Sequence, residues 1–307
     1  MQRVIITGAT GVVGMAITRK CIEKGIEAVL LVNPKSPRLA RIPSDPLVRV
    51  IKCGLEEFAD ATAERLGIES PDAFIHLSWC GTFGDTRNDK LLQEKNAAYA
   101  LDAVRLAGRL GCPVFVGAGS QAEYGRVEGV LKPDTPCNPE NEYGRAKLRA
   151  SKETRELCHE LGIRHVWPRI LSIYGPYDGE KTMVMSLITQ LLSGRKPSLT
   201  PGHQMWDYLY ADDAGEAMLA LAERGKDGGI YPIGSGVARP LREYIEIIRD
   251  LIDPSLPLGF GEVPYSDKQV MHLCADISRL HEDTGFSPKV DFAEGARRTI
   301  DWIKHQK

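Results

Sequence analysis

An α/β fold built on a doubly wound parallel sheet is the class this sequence predicts, and three observations predict it. Val4 to Gly14 reads Val-Ile-Ile-Thr-Gly-Ala-Thr-Gly-Val-Val-Gly, an apolar strand that breaks into a glycine turn and passes into helical spacing. Through the first half of the chain, apolar strand-like runs alternate with amphipathic helices, the pattern of a parallel sheet covered on both faces. After Tyr174-Gly175-Pro176 that rhythm stops, and shorter elements joined by Gly- and Pro-rich loops predict a smaller second lobe.

The strands fall near Arg3–Thr7, Glu27–Val32, Val48–Cys53, Ala73–Leu77, Pro113–Ala118 and Arg164–Ile170. Helices fill the gaps: Met15–Glu23, with Met15, Ala16, Cys21 and Ile22 inward, then Asp89–Leu110 and Glu142–Leu161. Beyond Pro176 the pattern gives a helix at Thr182–Leu192, a loop from Gly194 to Gly202 and a strand at Met205–Tyr210. Asp212 is placed to cap a helix running to Arg224, a strand follows at Gly229–Ile233, and the chain from Pro240 on reads as helical. Residues 1–170 plus 205–233 therefore form a Rossmann-type dinucleotide-binding domain. Residues 171–204 plus 234–307 form a discontinuous substrate lobe over the C-terminal edge of the sheet, with a cleft between the two.

The 307 residues carry a net charge of −2, which lacks the basic excess of a nucleic-acid-binding surface. No apolar run approaches a membrane span, and the first residues lead into a strand rather than a cleavable signal, so a cytoplasmic protein is expected. Seven cysteines without a Cys-x-x-Cys spacing or a nearby His cluster predict reduced thiols and no metal site.

The glycines have separate tasks. Gly8 permits the turn, Gly11 lets backbone N–H groups approach a diphosphate, and Gly14 lets the helix pack on the strand; the helix N-terminus favours an anion. A second signal is Tyr143-Gly-Arg-Ala-Lys147, which puts a phenol and an ammonium one helical turn apart on one face. An ammonium there favours the phenolate and draws the phenol toward useful proton transfer. Ser120, after the fifth strand, supplies a second hydrogen bond to the same substrate oxygen.

These residues resemble the extended short-chain dehydrogenase/reductase family, the nucleotide-sugar epimerases, dehydratases and reductases. The resemblance covers nearly the whole chain. It includes Thr7–Gly14, Asp72–Leu77, Asn96, Gly119-Ser-Gln-Ala-Glu-Tyr-Gly125, Tyr143/Lys147, Tyr174-Gly-Pro176 and Trp206–Asp213. It implies hydride transfer between a nicotinamide and a carbonyl carbon, with Ser120 holding the oxygen and Tyr143 giving the proton. Lys147 would hold the nicotinamide ribose and lower the tyrosine pKa. The implied cofactor contacts are Gly8, Thr10, Gly11, Val12, Val13 and Gly14 in the turn, and Asn33, Lys35, Ser36 and Arg38 after the second strand. Leu55, Leu77, Ser78, Trp79, Asn96, Ala118 and Ile170 complete the set beside Tyr143 and Lys147. The implied substrate contacts are Thr82, Ser120, Gln121, Tyr143 and Ser172.

NAD-preferring relatives place an Asp at the end of the second strand, where this chain has Asn33 followed by Lys35, Ser36 and Arg38. That substitution favours NADP(H), with NAD(H) the alternative if the basic loop is only a solvated surface. Family dehydratases carry an Asp-Glu pair just after the catalytic hydroxyl, and here Gln121-Ala122 stands there. The leading expectation is a reductase acting on the 4-keto group of a nucleoside-diphosphate 4-keto-6-deoxyhexose. The alternatives are an NAD-dependent C4-epimerase and, from another class, a non-catalytic dinucleotide sensor. Four positions depart from the family: Gly54 replaces an Asp, Ser172 an Asn and Trp206 an Arg, and the stretch around Tyr265–Lys268 lacks a later Arg. Lys181, Arg195, Lys196 or Lys268 can stand in as a diphosphate clamp or serve only as surface charge. Trp79 either walls the cleft or packs in the core, and Gln121 either meets a sugar hydroxyl or holds its loop. A homodimer through the two long helices is also implied by the resemblance.

Overall fold

A computed structural model describes residues 1–306 of the chain. Strands β1 (Arg3–Thr7), β2 (Glu27–Val32), β3 (Val48–Lys52), β4 (Ala73–His76) and β5 (Val114–Gly117) alternate with helices α1 (Val12–Glu23), α2 (Ala63–Leu66) and α3 (Lys90–Arg109). The short β6 (Gly119–Ser120), α4 (Glu142–Glu160), β7 (Arg164–Ile170) and β8 (Ser172–Tyr174) come next. They are followed by α5 (Met183–Leu192), β9 (Ser198–Leu199), β10 (Met205–Trp206), β11 (Tyr208–Tyr210), α6 (Ala211–Arg224) and β12 (Gly229–Ile233). The chain closes with β13 (Arg239–Pro240), α7 (Leu241–Ile252), β14 (Gly259–Phe260), α8 (Ser278–Thr284) and α9 (Phe292–His305).

The sheet runs β12-β7-β5-β4-β1-β2-β3, all parallel, with β6 continuing beside β7. The chain order reverses between β1 and β4, so the crevice for a ligand opens at their C-terminal ends. Strands buried on both faces need continuous apolar runs, which Val4-Ile5-Ile6 and Ala28–Val32 supply. One face packs Val4, Ile6 and Leu30 beneath α1 and α6; the other packs Ile5, Val29, Phe74 and Phe115 beneath α3 and α4. Each such fully buried side chain stabilises the fold by roughly 1.5–3 kcal/mol before entropy is counted. Helices α1 and α6 cross closely because Gly215 has no side chain: a Cβ there would stand 2.8 Å from the Ala16 carbonyl carbon.

The smaller lobe has its own core, in which Val184, Leu187 and Ile188 of α5 meet Ile245 and Ile248 of α7, Phe292 and Ile300 of α9, and Tyr174 and Tyr210. It is joined to the sheet through Asp207. The predicted strand Met205–Tyr210 breaks at that residue, with β10 pairing antiparallel to β13 and β11 parallel to β8. The break exists because the fully buried Asp207 carboxylate accepts hydrogen bonds from Ser235 N (2.7 Å), Ser235 Oγ (2.6 Å), Gly236 N (3.1 Å) and Ala275 N (3.0 Å).

One further expectation is corrected. Asp212 does not cap α6; the cap position is Tyr210, and Asp212 sits inside the first turn, paired with Arg19 of α1 at 2.5 Å. Its acidic charge still suits the helix N-terminus. The long helices α3 and α4 spend their apolar faces on the sheet, through Ala97, Ala103, Val104 and Leu106 and through Ala146, Ala150 and Cys158. The outer face of α4 carries charge pairs, Arg145–Glu142 and Arg149–Glu153. All seven cysteines are free thiols, five of them buried, and no helix among the described residues is long and apolar enough to cross a membrane.

Candidate active site

At the sheet switch point the glycine turn is built as its sequence requires. Gly8 has φ +70°, and a Cβ on Gly14 would stand 2.6 Å from Ala9 Cα and collide with Gly8 O, so both glycines serve the strand-turn-helix packing. Gly11 differs. A Cβ there would meet nothing nearer than Gly8 O at 3.6 Å, so internal packing does not demand a glycine. Gly11 is also the N-cap of α1, with no capping side chain and no acidic residue in the first turn, which leaves the helix N-terminal N–H groups for an anion. This arrangement fits the diphosphate of a dinucleotide.

A cleft of about 270 Å³ opens in front of that turn. Among the residues around it are Gly8, Gly11, Val12, Val13 and Gly14 from the turn, Leu77, Trp79 and Thr82 after β4, and Ala118, Ser120, Tyr143, Lys147 and Ile170. The structure thus brings the phenol, the ammonium, the hydroxyl and the glycine turn into one cavity. Asn141 caps α4 by accepting from Gly144 N at 2.8 Å, which fixes the helix start that carries Tyr143.

Lys147 is 4 % exposed; its Nζ donates to Ala118 O at 2.7 Å and lies 3.7 Å from the centre of the Trp79 ring. Burial pulls its pKa down to about 7, and the negative charge of Glu123 resists that fall. Burial pushes the half-buried Tyr143 phenol above its ordinary value, while the Ser120 side chain and the charge of Arg87 hold it back and Glu123 adds to the rise. The net direction is opposite to the one the Tyr143–Lys147 spacing alone predicts, because that spacing carries no information about desolvation.

Glu123 is the main residue that sequence reasoning missed. Its carboxylate, fully buried, accepts Ser120 N (2.8 Å), Trp167 Nε1 (3.0 Å) and Arg169 Nε (2.7 Å). It fixes the turn that carries Ser120 and points into the core, away from the cleft. Trp167 reaches it because Gly117 and Gly119 leave room: a Cβ on either glycine would collide with the indole. Gln93 was also missed. Buried on α3, it accepts from Trp79 Nε1 (2.7 Å) and donates to Gly81 O and Thr86 O (both 2.9 Å), stapling the loop after β4. The only sequence signal was its place one turn before Asn96, on the same face.

Other expected contacts stand apart from the cleft lining. Asn96 is buried and gives both ends of its amide to the Cys80 backbone, so it shapes the loop. Leu55 packs on the core beneath α3 and α4, and Ser78 N donates to Thr7 Oγ1. Asn33, Lys35 and Arg38 are exposed; Asn33 Oδ1 accepts Lys35 N and the half-buried Ser36 accepts Arg38 N, both within the turn. Arg41 does reach the turn, donating to Thr10 O (3.5 Å) and to Tyr177 O (3.3 Å). Gln121 opens the turn after Ser120. Ser172 accepts a hydrogen bond from Trp206 Nε1 at 2.8 Å, so two departures from the family pattern form a single contact.

Comparison with known proteins agrees with this geometry. A family profile described as the NAD dependent epimerase/dehydratase family matches residues 4–234. The chain is 28% identical over 244 residues to a dTDP-glucose 4,6-dehydratase of Mycobacterium tuberculosis, spanning 77% of this chain and 67% of that one. It is 27% identical over 324 residues to a UDP-glucose 4-epimerase of Azospirillum brasilense, covering 98% and 91%. Its fold overlays on a UDP-N-acetylglucosamine 4-epimerase of Methanobrevibacter ruminantium M1, solved in complex with UDP-N-acetylmuramic acid, with a TM-score of 0.89 and 22% identity over 100% and 99% of the two chains. By profile, fold and glycine turn alike, the chain belongs to the NAD dependent epimerase/dehydratase family.

Proposed function

We propose that the protein is an NADP(H)-dependent reductase of the 4-keto group of a nucleoside-diphosphate 4-keto-6-deoxyhexose. The observation that carries this reading is the meeting of Ser120, Tyr143 and Lys147 with the glycine turn in one cleft that holds no carboxylate pair for water elimination. The acidic residue nearest Ser120 in the chain, Glu123, is tied to Arg169 and Trp167 and is not available to a sugar. Dehydration, the activity named for several relatives, is disfavoured on that ground.

The N-terminal turn of α1 would hold the diphosphate of the cofactor, and Trp79, Ala118 and Ile170 would wall its reactive end. Bound there, the nicotinamide supplies the hydride. Ser120 and Tyr143 hold the substrate oxygen, and Tyr143 gives it a proton as negative charge develops. Lys147, titrating near neutrality, restores that proton or leaves the Ala118 carbonyl for a ribose hydroxyl. NADP(H) is favoured over NAD(H) by the lack of a carboxylate at the end of β2 and by Arg41 beside Thr10.

A C4-epimerase is the second reading, favoured by the near full-length likeness to the Azospirillum enzyme. One experiment separates them: incubation with NADPH and a panel of nucleoside-diphosphate 4-keto-6-deoxy sugars. A reductase consumes nicotinamide absorbance in proportion to sugar. An epimerase interconverts C4 isomers of UDP- or dTDP-hexoses with no net consumption and co-purifies with NAD. Equal turnover by Tyr143→Phe and wild type removes Tyr143 as proton donor under either reading. Dinucleotide binding without turnover of any of these sugars returns the protein to a sensor.

A further inference from the structure

Tyr143 is bordered by two positive charges, only one of which belongs to its own helix. The Arg87 guanidinium, from the short helical turn Gly84–Asn88 after β4, lies 4.9 Å from the centre of the phenol ring. The Lys147 ammonium is farther, at 5.9 Å, and uses one of its three N–H donors on Ala118 O. Arg87 Nε is buried and has no hydrogen-bond partner among the described residues, an arrangement that costs stability. Its loop is rigid: Gln93 holds Gly81 and Thr86, Asn96 holds Cys80, and Trp79 meets the Tyr143 ring edge-on at 6.2 Å. The groups facing the phenol are therefore Arg87 from the loop, Lys147 from α4 and Ser120 from β6, with Glu123 buried beneath the site.

We propose that Arg87 is a positioning residue for proton transfer, a second cation that stabilises the phenolate form of Tyr143. This rests on Tyr143 being the proton donor. Burial raises the phenol pKa, and a charge over the ring offsets that cost without touching the substrate. Lys147 is itself drawn toward the neutral form and lies farther from the ring, so Arg87 is the nearer of the two partners.

The test is the titration of Tyr143 in the unliganded protein, followed by phenolate absorbance as wild type minus Tyr143→Phe. Arg87→Gln raises the midpoint by about one pH unit, as expected for losing a charge at this distance in a partly solvated site, and Arg87→Lys restores most of it. In the alcohol-oxidation direction the rise of kcat with pH moves up by the same amount, roughly a tenfold loss at a pH on that limb. An unchanged midpoint in Arg87→Gln overturns the proposal, as does a rise in KM with no movement of the kcat profile, the signature of a substrate anion clamp. If Arg87→Gln does not fold, Arg87→Met, which keeps the stem over the ring, is read the same way. The two layers fail separately: full activity in Tyr143→Phe sinks the donor assignment even where the midpoint shifts, while an inactive Tyr143→Phe with no midpoint shift sinks only the role of Arg87.

Discussion

The Lys147 ammonium rests 3.7 Å over the centre of the Trp79 ring, so the indole replaces part of the water a lysine normally keeps. Burial of the whole side chain pulls its pKa down to about 7 in the folded protein, against roughly 10.4 for an unfolded chain.

Between those two values the unfolded state binds more protons than the folded one, so the Lys147 contribution makes stability rise with pH from about 7 to about 10. Below about pH 7 both states are protonated and the full cost of the buried charge is present. In Lys147→Met that slope disappears. Urea midpoints measured from pH 6 to pH 10 should show the variant gaining on wild type at the acid end and losing the advantage toward pH 10.

Glu123→Gln leaves Arg169, 3 % exposed and already with one unpartnered nitrogen, as an uncompensated buried charge. The expected loss is roughly 3–5 kcal/mol of unfolding free energy, read from guanidinium denaturation. Because Glu123 also fixes Ser120 N, kcat should fall along with stability.

Arg41→Gln should weaken NADPH binding by roughly ten- to a hundredfold, the worth of a charge-assisted hydrogen bond, and leave NADH binding nearly unchanged. Calorimetric titration of both cofactors checks this. Lys35→Gln, on an exposed turn, should change NADPH affinity far less.

Two buried histidines set an acid limit. Burial pulls His76 down to about 3 and His165 to about 4, while the unfolded chain takes up those protons near pH 6.5. Stability is therefore lost as pH falls from about 6.5, down to about 4 for His165 and about 3 for His76, the range in which the unfolded state binds the extra protons. His76→Phe should flatten the decline in a thermal melt series across that range.

The sheet was legible in the sequence because parallel strands buried on both faces must be apolar throughout, and β1, β2 and β12 match their expected bounds. The glycine turn and the Tyr143–Lys147 pair were legible for the same kind of reason: each needs fixed residue types at fixed local spacing. Glu123, Gln93 and Arg87 were not, since each acts through partners remote in sequence, Arg169 lying 46 residues from Glu123. Nor does local periodicity register a carboxylate that interrupts a strand, which is why Met205–Tyr210 read as continuous. Asp212 looked like a cap because an acidic residue before an apolar run fits a cap or a first turn equally well.

Asp207 bears on how far the protein can be divided. Every donor to its carboxylate, from Ser235, Gly236 and Ala275, comes from beyond Ile233, the last residue of the main sheet. A chain trimmed after that strand would retain all the sheet hydrogen bonds yet leave that carboxylate without any of these donors. The main sheet is thus no detachable module, because the junction between β10 and β11 takes its donors from the C-terminal quarter of the chain.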